Sequence, residues 1–332
     1  MKSAIIVARH GERIDYYLRD NGGNWLQEPN NERPWDPPLT YRGQMQARRL
    51  GSYLYKLIQE LELPPLEAVY SSLLTRCCMT AGEAIIGYQQ KDQEADKNKK
   101  ECTSSDLKVH IETGLVEVLN EKWYRSWCLQ DSDGTWGGKD GDKYQNGVFP
   151  PPIHESDVHS KGKIRSHLLF QSKTETCEYL QNYRGHGNDE SLDSFNGSTH
   201  VQEFQSSSGI VSQLLASQEK EIYSSTDNSY QWNNFESRKV LQDRVTDVAN
   251  ELSRKHPGKT ILLVSHGSPV TRLYESLSGN DWKAHGVSTY TSFSIYQSKD
   301  SEEGNGWQVL RANDNTHVEE IHMESADQKA AW

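Results

Sequence analysis

Two apolar runs near opposite ends of the chain, Ala4–Ala8 and Thr260–Ser265, each lead into a His-Gly pair, Arg9-His10-Gly11 and Ser265-His266-Gly267. A short aliphatic run bounded by charge or glycine is the pattern of a strand buried on both faces. Such strands belong to sheets covered by helices on each side. Side chains just past their carboxyl ends point into the crevice where ligands bind. Two histidines in that position are placed to meet at one site.

The rest of the chain supplies the covering helices. From Thr40, Leu50, Leu54, Leu57, Ile58 and Leu61 form a one-sided apolar stripe that stops at Pro64-Pro65. Ala68–Ser71 reads as a strand, Thr75–Tyr88 as a helix, and Leu107–Ile111 as another strand. Leu241, Val245, Val248 and Leu252 mark a helix over Ser237–His256, ended by Pro257-Gly258. A short helix is expected from Pro269, and strands over Thr291–Gln297 and Trp307–Leu310. Tyr16–Pro38 reads as a loop, and the strongly polar residues 89–106 as an exposed loop or a frayed helix extension. Residues 125–235 lose periodicity and carry Gly, Ser, Asn, Asp and His with scattered aromatics, the pattern of a long, irregular insertion. Strands alternating with helices predict an α/β fold: a three-layer α/β/α sandwich around a mostly parallel sheet, in a single domain spanning 1–332.

Composition narrows the partners. The 332 residues carry a formal net charge of −11, which argues against non-specific nucleic-acid binding and against docking to anionic lipid. The apolar runs are too short to span a bilayer. The five cysteines, Cys77, Cys78, Cys102, Cys128 and Cys177, are odd in number and irregularly spaced. That suits a reducing compartment, and a cytoplasmic protein is the expectation.

Several hydrolase signatures fail. No cysteine has arginine six positions on, as a cysteine phosphatase requires, and no G-x-S-x-G elbow or P-loop is present. His154-Glu155 opens like a zinc-protease helix, but Val158 stands where the second histidine belongs. Asp131-Ser132-Asp133-Gly134-Thr135 matches an aspartate-nucleophile phosphatase motif without the buried strand that must precede it, so it reads as an Asp/Gly turn. The neighbours Cys77 and Cys78 are better placed on a buried helix face than on a metal.

Four segments hold: Arg9-His10-Gly11-Glu12-Arg13 after the first strand, Tyr70-Ser71-Ser72 through Arg76 after the second, Gly114-Leu115-Val116-Glu117 after the third, and Ser265-His266-Gly267-Ser268. Together with Asp36-Pro37-Pro38-Leu39-Thr40 and Gly43, they resemble the histidine phosphatase superfamily, in the branch of phosphoglycerate mutase and fructose-2,6-bisphosphatase. Within it they look most like the phosphatase domain of the ubiquitin-associated and SH3-domain-containing proteins and the ecdysteroid-phosphate phosphatases. The mutases carry Ser-x-Trp-Asn after Arg-His-Gly-Glu, where this chain has Arg13-Ile14-Asp15-Tyr16. The resemblance covers about residues 3–123 and 236–320.

The chemistry asks for a nucleophile, positive donors around three phosphoryl oxygens and an acid for the leaving oxygen. Neutral His10 is the expected nucleophile, forming a phosphohistidine. Arg9, Arg76 and His266 are expected to hold the oxygens, and the resemblance adds Arg13, whose plainer reading is a salt bridge with Glu12 or Asp15. Glu117 is the expected general acid, with Glu121 as its rival. No metal or cofactor is required, because cationic and donor side chains supply the charge. The implied substrate is a phosphate ester, on a phosphotyrosine protein, a steroid or aryl phosphate, or a small metabolite. A mutase-like phosphotransferase and an inactive scaffold binding through the insertion are the alternatives. The resemblance also suggests a homodimer. Gly11 is read as allowing a ligand close to the backbone, Glu112 as an exposed strand residue, and Trp25 and Trp35 as either pocket wall or packing.

Overall fold

The computed structural model describes residues 2–25, 36–95, 107–118, 158–159, 163–164, 237–299 and 306–318. In chain order the elements are β1 Ala4–Arg9, α1 Ile14–Asp20, α2 Tyr41–Glu60, β2 Leu66–Ser71, α3 Thr75–Ala95 and β3 Val109–Ile111. A two-residue antiparallel pair follows, β4 Val158–His159 and β5 Lys163–Ile164. Then come α4 Arg238–Lys255, β6 Thr260–Ser265, α5 Gly267–Ser278, β7 Phe293–Ser298 and β8 Trp307–Asp314.

Six strands form one sheet in the order β3-β2-β6-β1-β7-β8. The first four run parallel, β7 is antiparallel to β1, and β8 is antiparallel to β7. The sheet is therefore mostly parallel. Side chains alternate across it, as strand geometry requires. Ala4, Ile6, Ala8, Leu262 and Val264 pack beneath α2 and α3, while Ile5, Val7, Ile261 and Leu263 pack beneath α4 and α5. Both faces are covered, and the three-layer sandwich follows. No helix among the described residues is long and apolar enough to cross a membrane.

The predicted stripes are the buried ones: Leu50, Leu54, Leu57 and Ile58 on α2, and Leu241, Val245, Val248 and Leu252 on α4. Helix starts follow capping chemistry. The Thr40 hydroxyl accepts the Gly43 N–H at 2.9 Å, and the Ser237 hydroxyl accepts the Val240 N–H at 3.2 Å. Gly279 ends α5 in the left-handed conformation, with φ 71°.

A segment read as a loop and the start of the polar stretch are helical. Residues 14–20, mostly inside the expected Tyr16–Pro38 loop, form α1, which is too short for periodicity to reveal. The polar stretch from 89 continues α3 as far as Ala95. Gln, Lys and Glu are good helix formers, so the helix outruns its apolar face. Inside the expected insertion 125–235, only the β4–β5 pair lies among the described residues. The Asp131–Thr135 turn, Trp35 and Glu121 lie outside them.

α2 and α3 cross with glycine against backbone. A Cβ on Gly51 would stand 1.8 Å from the Ala84 carbonyl oxygen, and one on Gly87 would stand 2.0 Å from the Arg48 carbonyl oxygen. Two helices this close have no room for a methyl group at either point. Gly51→Ala is expected to destabilise the fold by about 1–3 kcal/mol through overpacking, despite alanine's better helix propensity. Urea unfolding of the variant beside the parent checks this, and an unchanged midpoint would refute the tight crossing.

Candidate active site

The site is assembled by strand register. In the β1–β6 ladder Arg9 lies opposite Ser265, so His10 and His266 leave the sheet side by side. The His10 N–H donates to the Ser265 carbonyl at 2.9 Å, and the two imidazole centroids are 5.3 Å apart. On the other side of β6, the Ser72 N–H donates to the Val264 carbonyl, and the Ser72 hydroxyl shares a 2.8 Å hydrogen bond with His266 Nε2. The structure thus brings Arg9, His10, Arg76, Glu117 and His266 together at the carboxyl ends of the parallel strands, with Arg13 beside them.

His10 Nδ1 lies 2.8 Å from the Gly11 carbonyl oxygen. A carbonyl only accepts, so Nδ1 carries the proton and Nε2 presents a lone pair. Burial, with Arg76, Arg9 and Arg13 nearby, holds the His10 pKa well below its ordinary value, so the ring is neutral. The His266 pKa is likewise far down, from burial and then from Arg76, which makes it a neutral donor or acceptor and not a cation. Glu117 behaves oppositely: burial raises its pKa, against the pull of a hydrogen bond from its own Val118 N–H and of Arg76 and Arg9. The Ser268 hydroxyl at the start of α5 also reaches this carboxyl.

Two of the arginines lie against carboxylates, Arg13 against Asp15 and Arg76 against Asp36. Arg13 Nε donates to Asp15 Oδ1 at 2.9 Å and its Nη2 to Oδ2 at 2.5 Å, with both side chains buried. The salt bridge expected as the plain reading of Arg13 is real, and the same residue still adds its charge to His10. Asp36 accepts the Thr75 N–H at 2.8 Å and the Thr75 hydroxyl at 2.7 Å, capping α3, and lies 3.8 Å from Arg76. Arg9 Nη1 donates to the Ser288 carbonyl, and its guanidinium stands 4.9 Å over the Tyr290 ring. Arg13 stands 4.3 Å over Tyr16. Tyr290, whose pKa burial pushes up to about 12, stays a neutral phenol. Tyr290 and Ser288 carry no sequence signal of their own, because only the packing of distant loops brings them here.

Two readings are corrected. A Cβ on Gly11 would meet the Gly43 carbonyl oxygen at 2.5 Å, so this glycine admits the start of α2, not a ligand. Glu112 is buried, not an exposed strand residue: it follows β3, and its Oε1 accepts the Gly114 N–H at 2.7 Å. Trp25, read as pocket wall or packing, is only 2% exposed. Cys77 and Cys78 are buried on α3, as expected. Among the described residues no three His, Cys, Asp or Glu side chains cluster as metal ligands.

The sequence matches the model of the histidine phosphatase superfamily (branch 1) over residues 5–145 and 203–315. The chain belongs to this superfamily. It therefore sits among enzymes of phosphoryl transfer and hydrolysis. No curated protein gives a significant sequence match. Solved structures similar to it include phosphoglycerate mutase from Bacillus anthracis, with 16% identity, 96% of this chain and 95% of that one covered, and a TM-score of 0.43. Ecdysone phosphate phosphatase from Bombix mori, in complex with tungstate, shows 14% identity, coverage of 94% and 93%, and a TM-score of 0.46. Phosphoserine phosphatase from Entamoeba histolytica, in complex with 3-phosphoglyceric acid, shows 15% identity, coverage of 95% and 99%, and a TM-score of 0.42.

The lowered histidines make stability depend on pH. His10, His266 and His317, the last held near 4 by burial, refuse protons that the unfolded chain takes up below its ordinary value of 6.5. Unfolding then binds protons, so the stability present above pH 6.5 is lost as pH falls, down to about 4 for His317. Urea midpoints measured at pH 7.5 and at pH 5 are expected to drop with acid, and His317→Gln to blunt the drop. A midpoint that is flat across this range would refute the neutral, buried rings.

Proposed function

We propose that this chain is a phosphomonoester phosphatase working through a phosphohistidine on His10, without a metal ion. The observation that carries the reading is the His10 tautomer: a neutral ring with bare Nε2, set among Arg9, Arg13 and Arg76. Nε2 attacks phosphorus in line with the ester oxygen. The N–P bond forms as the P–O bond breaks, and the ring becomes a cation whose Nδ1–H stays on the Gly11 carbonyl. Protonated Glu117, whose raised pKa supports this role, gives its proton to the departing oxygen. The resulting carboxylate then takes a proton from the water that attacks phosphorus. The N–P bond breaks, phosphate leaves and neutral His10 returns.

Arg9, Arg13, Arg76 and His266 surround the phosphoryl oxygens. Preorganised cations act where charge is concentrated, and water exclusion strengthens them. The Tyr16 and Tyr290 rings beneath Arg13 and Arg9 favour a flat apolar leaving group, such as the aryl ring of phosphotyrosine or a steroid. The odd number and irregular spacing of the five cysteines favour a reducing compartment such as the cytoplasm.

The test is turnover of p-nitrophenyl phosphate with EDTA present. Activity is expected to persist in EDTA and to fall by on the order of 10³-fold or more in His10→Ala. Activity that chelation abolishes, or that survives loss of His10, would overturn the mechanism.

A further inference from the structure

Glu117 sits on a segment of irregular backbone, yet its task demands placement within a fraction of an ångström. Such a segment offers no ladder of its own, so its carbonyls need partners from elsewhere. Here four consecutive carbonyls are held. Arg244 of α4 donates through Nη1 to the Gly114 oxygen at 2.7 Å and to the Val116 oxygen at 3.1 Å, and through Nη2 it reaches the Glu117 oxygen at 3.5 Å. The fourth, on Leu115, accepts the Ser265 hydroxyl at 2.6 Å, from the residue before His266.

The contact is built from both sides. A Cβ on Gly114 would stand 2.4 Å from Val248 Cγ2, so α4 rests on the segment with no room to spare. Arg244 is one turn before Val248 on the same helix face, and its planar fork suits several carbonyls at once. Arg244 reaches the segment through its backbone oxygens and so bears on where the Glu117 carboxyl lies.

We propose that Arg244 is a positioning residue for the leaving-group step: it clamps the Gly114–Glu117 backbone so that the Glu117 carboxyl meets the departing oxygen. The proposal rests on Glu117 being the general acid. A merely structural arginine would affect every substrate alike. A positioning residue for the acid affects those esters whose leaving oxygen needs a proton.

The experiment measures kcat/KM, which reports the steps through leaving-group departure, for p-nitrophenyl phosphate, phenyl phosphate and a simple alkyl phosphate. The enzymes are the parent, Arg244→Ala, Arg244→Lys and Glu117→Gln. Glu117→Gln is expected to lose most on the alkyl ester. Arg244→Ala is expected to lose about tenfold or more on the alkyl ester beyond its loss on p-nitrophenyl phosphate. Arg244→Lys, which keeps one donor at a time, is expected to fall between. The ratio between esters within one preparation is independent of how much of it is folded, so a destabilised variant still gives an answer. If Glu117→Gln discriminates between esters and Arg244→Ala loses equally on all of them, the clamp is overturned and the acid stands. If Glu117→Gln loses equally on all esters, the acid assignment falls and takes the clamp with it.

Discussion

The register of one pair of parallel strands organises everything else. Because Arg9 lies opposite Ser265, the residues that follow, His10 and His266, leave the sheet as neighbours. Parallel ladders hold this alignment firmly, since slipping by one residue would turn every side chain of β1 to the other face. Ala4, Ile6 and Ala8 would trade places with Ile5 and Val7 between the two helical layers. The hydrophobic pattern that builds the core therefore also sets the spacing of the two imidazoles. β2 joins the same alignment through the Ser72 N–H, which places the hydroxyl against His266.

Around that pair the structure gathers positive charge in a protein whose net charge is strongly negative. Buried arginines are tolerable only when paired or hydrogen-bonded. Asp15 and Asp36 serve Arg13 and Arg76, and Ser288 with the Tyr290 ring serves Arg9. Behind them Glu12 takes an ion pair from Arg42 and a hydrogen bond from Thr40, so the loop after β1 is tied to the start of α2. Burial, and after it this field, keeps both imidazoles neutral, while burial lets the Glu117 carboxyl hold its proton more readily than usual. One buried environment sets opposite protonation preferences on a base and an acid, which is the arrangement that acid–base chemistry near neutral pH needs.

The thread from the far end of the chain is just as local in its physics. His317, in a helical turn at 316–318, bonds the Thr291 hydroxyl at 2.9 Å, and the Thr291 N–H donates to the His10 carbonyl. Thr291 has φ 55°, a left-handed conformation that costs a β-branched residue about 1–3 kcal/mol. The bonds on either side of it maintain that conformation and hold Tyr290 over Arg9.

What was legible in the sequence was whatever repeats or punctuates. The apolar runs of β1 and β6, the stripes of α2 and α4, the caps at Thr40 and Ser237 and the histidines at strand ends can all be read from neighbours in the chain, because strand and helix periods and capping chemistry are local. Arg9, His10, Arg76, Glu117 and His266 could be named for the same reason: each follows a recognisable strand or opens a helix. The two-turn helix α1 could not, and the polar end of α3 could be read either way, since neither carries an apolar stripe. Partners far apart in sequence were decided by tertiary structure alone. Asp36 at Arg76, Ser72 at His266, Tyr290 beneath Arg9 and Arg244 on the acid segment meet only after the sheet has closed its register and the helices have packed. The sequence by itself determined which groups stand at the strand ends as candidates for the chemistry, because their types and positions are local facts. Only the tertiary structure decided their tautomers, charges and spacing, because burial and partners exist only in the folded chain.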